Sequence, residues 1–506
     1  MGDCIDASKF LRSGGPSAVR LEGVTDVVAR KLAACAHLAK VTSLDLTGGR
    51  IGEKGARALA ESPHVRQLTS LSISQCHAKD AVLIALSRSS ALTSLRTLDL
   101  EWNEFGARGW KALTSTAALP ALVDLRARCN DLGPKGWTTL LASPLMERLE
   151  AVDLSETRPG RLGLDELFSS SPPRLRRLKI VEIELDGRGI KRLLEWPTRV
   201  ALTALDVGHN VVTAEVAAKL FRAPWPVLEE LGLRATCIGV QIKPELAPRL
   251  DAFEALAHPK AFPALRSLDL SATDLSPDAA RVLARAPCMA LLEALNLAEM
   301  PVDESLEILL ASPRLGRLAR LDVRGTNLSD RGALALARSK NLGALVHVDA
   351  MQNPRIGAEG HRALRARFGK GLLLPPKPTP QPKPEPVAAP KRPAKVKRLP
   401  LANLARIARS KPFAHWRPMV TAKETNASTA LMVRACRQLM ALGEDASPAA
   451  QKKVLRACVV GSNALYRKHE FIQTTEAEDI SEVIDNIADH TSFVGAQDFA
   501  GQWRDW

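Results

Sequence analysis

The sequence predicts an α/β solenoid, with parallel strands on the concave side and helices outside, followed by a small all-α domain. Three observations predict it. A short apolar signature of the form L-x-x-L-x-L recurs twelve times between Val41 and Ala350, in steps of 26 or 27 residues with a single step of 37. Each signature leads into a stretch whose apolar residues stand three and four apart, the spacing of one helix face. At residue 375 the repeat stops and the composition turns abruptly to Pro and Lys before helical periodicity returns.

Taken in order, residues 1–40 read as an N-terminal cap, with Val27 to Leu38 as the helix of a degenerate leading repeat, since terminal repeats are usually atypical. The first full repeat explains the rest. Leu44 and Leu46 alternate as in a strand, so both point to one side. Ile51 turns inward after the strand, and Gly52 and Gly55 permit a tight loop into a helix. Ala56, Leu59 and Ala60 then form an apolar stripe. One repeat cannot bury that stripe alone, so stacked neighbours bury it jointly. The later repeats centre on Leu71, Leu98, Leu125, Val152, Leu178, Leu205, Leu231, Leu268, Leu295, Leu321 and Val348. With aromatics at 4% of the chain, aliphatic side chains are expected to fill this interior.

The position after each strand holds Asn103, Asn130, Asn210 and Asn353 in four repeats, Cys76 in one, and Thr157, Thr236, Thr273 and Thr326 in four more. A buried Asn, Cys or Thr at that place can hydrogen-bond loop backbone of adjacent repeats. Gly49, Ile183 and Met300 depart from the pattern. The stretch Leu98-Asp-Leu100, Asn103, Phe105-Gly106, Gly109, Leu113 and its successor Leu125, Asn130, Leu132-Gly133, Gly136, Leu140 resemble the leucine-rich-repeat family, in its ribonuclease-inhibitor-like type. The resemblance covers about residues 41–370 and implies a curved solenoid that binds other proteins.

In each strand the residue between the two apolar positions faces the concavity. That row reads Asp45, Ser72, Asp99, Arg126, Asp153, Lys179, Asp206, Gly232, Asp269, Asn296, Asp322 and Asp349, seven of twelve being Asp. Phosphate binding needs Lys and Arg along the contact surface, so this face suits a protein surface rather than nucleic acid. The Asp row is either a partner contact or a feature of the repeat itself. The expected partner-binding residues are Asp99, Glu101, Trp102, Arg126, Arg128, Asp153, Lys179, Asp206, Arg234, Asp269, Asp322 and Arg324. Trp102, just past its strand, reads equally as a contact hot spot or as core. The extra residues Gly239 to Arg249 are either a binding loop or a tolerated insertion.

The net charge of +15 is unevenly spread, with 14 Lys/Arg against 2 Asp/Glu in residues 375–437. Residues 375–400 hold ten prolines and form an extended basic spacer. The tract is either a tether for nucleic acid or anionic membrane or a solvated linker. Residues 401–506 read as a helical domain: Leu401, Leu404 and Ile407 share a face, Ser428 to Leu442 forms a helix, and Ser447-Pro448 opens another to about Lys468. A capping box at Thr475-Glu476-Ala477-Glu478 begins a last helix through Ile480, Val483, Ile484 and Ile487, and Phe499, Trp503 and Trp506 pack back.

No phosphate loop, HExxH or GxSxG motif occurs. Neither Cys436-Arg-Gln nor Cys458-Val-Val matches the CxD of repeat-linked cysteine ubiquitin ligases, and both thiols fall on apolar helical faces. The reading is therefore a non-enzymatic protein-binding scaffold with no cofactor and no metal. Without a basic-then-apolar start or an 18-residue apolar run, and with eight widely spaced cysteines, it is expected to be cytoplasmic.

Overall fold

The computed structural model describes residues 17–115, 117–236, 250–374, 401–409, 413, 422–443 and 446–469, with 480, 483, 484 and 487. The insertion Gly239 to Arg249, the proline-rich tract 375–400, the capping box at Thr475 and the terminal Phe499, Trp503 and Trp506 lie outside them. The chain divides into two compact units, residues 1–379 and 380–506.

In the first unit the described strands form one parallel sheet of 14 strands in chain order. Neighbouring strands pair one repeat apart, so Leu44, Leu71, Leu98, Leu125, Val152, Leu178 and Leu205 fall into a single stacked column. All seven are at most 2% exposed, and truncating one to Ala is expected to cost about 3 kcal/mol. The sheet is two strands longer than the twelve signatures. Ala18–Arg20 pairs with Ser43–Asp45, and Leu372–Leu373 pairs with Val348 and Asp349. Val19 and Leu21 carry the inward alternation of the first strand, but only Glu22 and a left-handed Gly23 precede Val24 there. That turn is too short to show the post-strand pattern of the other repeats.

Each strand returns through a helix whose inner stripe closes the core, as Gly55, Ala56, Leu59 and Ala60 do in Glu53–Glu61. Few as the aromatics are, the interior is not purely aliphatic. Trp110, Trp137, Trp196 and Trp225 are fully buried. Each satisfies its indole N–H: Trp110 donates to the Phe105 carbonyl at 3.1 Å, Trp137 to Thr157 Oγ1 at 3.0 Å, Trp196 to the Ser170 carbonyl at 2.7 Å and Trp225 to the Leu220 carbonyl at 2.8 Å.

The post-strand asparagines join repeats. Asn103 Nδ2 donates to Ile73 O of the preceding repeat and to Leu100 O of its own, both at 2.9 Å, and its Oδ1 accepts from the N–H groups of Cys76 and Ala78 at 3.1 and 2.9 Å. Asn130, Asn210 and Asn353 repeat this wiring. Cys76 also reaches back, its Sγ donating to Leu46 O at 3.2 Å. The threonines differ from the expectation. Thr236, Thr273 and Thr326 donate to the Leu233, Leu270 and Val323 carbonyls of their own repeats, and the contacts of this column to neighbouring repeats go to side chains, Thr326 to Asn353 Oδ1 at 3.3 Å and Thr157 from Trp137 at 3.0 Å. The departures from the pattern have local reasons. A Cβ at Gly49 would sit 2.6 Å from the Val24 carbonyl, and the backbone at Ile183 is served by Asn210 of the next repeat.

Helix starts are capped in two ways. Asp186, Thr213 and Ser276 accept from N–H groups of their own helices. Elsewhere an Asp in the first turn of one helix caps the next repeat's helix. Asp26 accepts from Gly52 and Gly55 at 2.7 and 2.9 Å, Asp80 from Gly106 at 2.8 Å, Asp303 from Ser329 at 3.0 Å, and Asp330 from Gly357 and Gly360, both at 2.8 Å.

In the second unit, Leu401–Arg409, Ala422–Ala441 and Pro448–His469 are helices, the middle one starting six residues before the expected Ser428. Ser447 caps the third, accepting from the Ala450 N–H at 3.3 Å. Leu404, Phe413, Met432, Cys436, Leu439, Leu455, Cys458 and the isoleucines 480, 484 and 487 form its core. Both cysteines are buried there, as their apolar faces require.

Candidate protein-binding face

The concave row is set by turn chemistry first. In every Asp-bearing strand one carboxylate oxygen accepts the backbone N–H two residues on. Asp99 takes Glu101 at 3.1 Å, Asp153 takes Ser155 at 3.0 Å, Asp206 takes Gly208 at 3.0 Å, Asp269 takes Ser271 at 2.8 Å and Asp322 takes Arg324 at 2.9 Å. The row of acids therefore belongs to the repeat, holding each strand's exit. The second oxygen is what a neighbour or partner can use. Asp99 Oδ2 accepts from Ser72, Asp269 Oδ2 from Asn296, and Asp322 Oδ2 lies 3.4 Å from Arg324. For Asp153 and Asp206 no such second contact occurs among the described residues.

Burial raises Asp99, Asp206 and Asp322 above the usual carboxylate range, opposed by the turn N–H bonds. Glu101 is displaced further, to about 7, by burial first and then by the charges of Asp99 and Asp153. Gly232 leaves room for Asp206 to lean over, since a Cβ there would come within 2.5 Å of the carboxylate.

The basic departures lie in register with these acids. Arg126 pairs across to Asp99 and Asp153, and Lys179 to Asp153 and Asp206. Arg126 is exposed and 3.5 Å from Asp124 of its own strand, which also lies 3.9 Å from Arg177. Lys179 is exposed and has no carboxylate within 4.0 Å among the described residues. Arg234, two residues past its strand, pairs with Glu299 and donates from Nε to His209 Nε2 at 3.2 Å.

Trp102 is not core. It adopts a left-handed backbone (φ 56°), is 48% exposed, and lies under the Arg128 guanidinium at 5.7 Å. Arg128 is in turn held by Glu156 at 2.7 Å, which also accepts from the Cys129 thiol at 2.8 Å. Burial, then the contact with Glu156, pushes that thiol up to about 12, so it stays protonated. The structure thus brings Glu101, Trp102, Arg128 and the strands from Asp99 to Asp206 onto one stretch of the face, whereas Arg234, Asp269, Asp322 and Arg324 lie further along the sheet. Sequence reasoning missed Asp124, Glu156 and Glu299. All three act on groups in other repeats, Glu156 on Arg128 one repeat away and Asp124 and Glu299 on Arg177 and Arg234 two repeats away, and a single-repeat pattern holds no record of such partners.

A family model described as leucine-rich repeat matches residues 37–60, 91–113 and 318–337. No curated protein matches the chain. Among solved structures it is similar to a yeast complex of Rad7 and Elc1, at 15% identity over 73% of this chain and 92% of that one, with a TM-score of 0.45. It is also similar to an internalin (inlF) of Listeria monocytogenes, at 14% over 71% and 86%, with a TM-score of 0.29, and to TLR13 in a complex with ssRNA13, at 16% over 71% and 55%, with a TM-score of 0.38. With its apolar columns, post-strand asparagines and matched segments recurring along one parallel sheet, the chain is a leucine-rich-repeat protein.

Proposed function

We propose that this protein is a non-catalytic scaffold that holds another protein on the concave face of its repeats, in the section from Asp99 to Asp206. The observation that carries the reading is Trp102. An exposed indole stacked under an arginine that a carboxylate fixes in place is a rigid, desolvation-ready anchor beside unsatisfied polar groups, the composition of an interface hot spot. The outer helices support the ribonuclease-inhibitor-like type. None of the six described cysteines is in a disulfide, which supports a reducing compartment such as the cytoplasm. Among the described residues no helix is long and apolar enough to cross a membrane.

The test places a photo-crosslinking residue at 126 or 179 of the full chain in its native lysate, with position 135 on the outer helices as control. Protein adducts concentrated at 126 and 179 support the reading, and adducts equal to or fewer than those at 135 overturn it. A second reading follows from the 14 Lys/Arg against 2 Asp/Glu in residues 375–437, namely a tether to nucleic acid or anionic membrane. It expects heparin retention of the full chain to be lost when the seven Lys and Arg of 375–400 are changed to Gln.

A further inference from the structure

Five in-register positions of the concave row alternate in charge: Asp99, Arg126, Asp153, Lys179 and Asp206. Uncharged Ser72 and Gly232 bound the series on either side. Neighbouring strands of a sheet lie about 4.8 Å apart, so the sign changes every ~4.8 Å along the solenoid and each sign recurs every ~9.6 Å. Both basic members are exposed, and the second oxygens of Asp153 and Asp206 are uncommitted among the described residues.

A partner that complements this series must present alternating charges on one of its own faces at the same interval. Its secondary structure follows from that interval. An extended strand repeats on one face every ~6.7 Å, which falls out of step by the second residue. A polyproline helix repeats on one face every ~9.3 Å, so it can match one sign but has nothing to place at the half-interval. An α-helix returns to the same face every ~5.4 Å, through pairs spaced i to i+3 or i+4. Over four intervals its excess over the strands is roughly 2.4 Å in total, which long charged side chains absorb.

We propose that the occupant of this section is an α-helix of the partner, lying across the strands along the solenoid. It carries basic residues about seven apart against Asp99, Asp153 and Asp206, and acidic residues midway between them against Arg126 and Lys179. This rests on the concave-face reading above and adds to it the partner's conformation and charge register. Arg126 leaves Asp124, an exposed contact of little strength, to meet the incoming acid. Trp102 and Arg128 follow the strands two and one from the centre of the series at Asp153, and grip the helix's end or flank.

The test uses the full chain and three fluorescent 21-residue peptides. The first is helical with Lys at positions 4, 11 and 18 and Glu at 7 and 14, the second scrambles those charges over the same composition, and the third keeps the charges but carries prolines that forbid a helix. Anisotropy at low salt should show the first binding about tenfold more tightly than either other. The exposed double reversal R126E/K179E, checked for unchanged circular dichroism, should lose that preference and regain it for a peptide with Lys in place of both Glu. Equal binding of the first and scrambled peptides, or no binding by either, overturns the charge register. Equal binding of the proline peptide overturns the helix. If photo-crosslinks at 126 and 179 still form, the concave-face reading survives that failure and only the helix assignment falls.

Discussion

The asparagine repeats and the threonine repeats share one backbone course but not one wiring. Asn103 takes hydrogen bonds to and from the preceding repeat as well as its own, while Thr273 satisfies only Leu270 of its own turn and touches Met300 Sδ at 3.7 Å. The difference teaches that in this solenoid shape and coupling are separable. In this column a hydroxyl closes the local turn and meets neighbouring repeats only through side chains, as Thr157 does with Trp137, whereas the longer amide bonds the neighbouring repeat's backbone as both donor and acceptor. The helix caps divide the same way. Ser276 serves its own helix, whereas Asp330 serves the next one.

The largest expected effect tests that contrast directly. Asn103→Ala leaves the Ile73 carbonyl and the Cys76 and Ala78 N–H groups without their partner in a buried place and takes one of two donors from the Leu100 carbonyl, a cost of about 3 kcal/mol. Thr273→Ala removes one of two donors to the Leu270 carbonyl, which keeps the Thr273 N–H at 3.2 Å, and should cost about 1 kcal/mol. Urea midpoints followed by circular dichroism measure both, and equal losses would break the comparison.

The caps sharpen it. Asp330→Ala removes the acceptor of two N–H groups in the neighbouring helix and should cost about 1.5 kcal/mol, against about 1 kcal/mol for Ser276→Ala. Hydrogen exchange gives the telling readout. Asp330→Ala should speed exchange at Gly357 and Gly360, a whole repeat away, while Ser276→Ala should affect only its own first turn.

The smallest effect concerns pH. Glu101 is raised to about 7 in the folded chain, so between the ordinary carboxyl range and pH 7 the folded state holds a proton that the unfolded state has released. Stability therefore falls as pH rises through that window. Glu101→Gln should flatten the pH dependence of the thermal midpoint between about pH 5 and 8 and stabilise the protein above pH 7. The gain is on the order of 1 kcal/mol once solvent screening of this half-buried group is discounted. An unchanged slope would mean that Glu101 is better solvated than its neighbours Asp99 and Asp153 suggest.

Much of the face was legible because a strand's alternation assigns each side chain to one side. Asp99, Arg126, Asp153 and Lys179 stand on the concave row where the L-D-L spacing puts them. Trp102 was ambiguous because its position follows the strand, where alternation no longer applies. The left-handed backbone at that residue, which turns the indole outward under Arg128, has no signature in a side chain that usually avoids it.

By itself the sequence determined the repeat length, the parallel sheet, the inward columns of leucine and the buried asparagines, because each depends on spacings within about 27 residues that neighbouring units share. Tertiary structure alone decided which asides of that plan reach across repeats: Asp26 and Asp330 capping foreign helices, Glu156 fixing Arg128, and Gly232 giving way to Asp206. The physical reason is that these contacts join residues 25 to 30 apart in the chain whose side chains meet only after stacking. A short carboxylate or amide then bonds to whatever backbone the neighbouring repeat presents, and a single-repeat pattern carries no record of that neighbour.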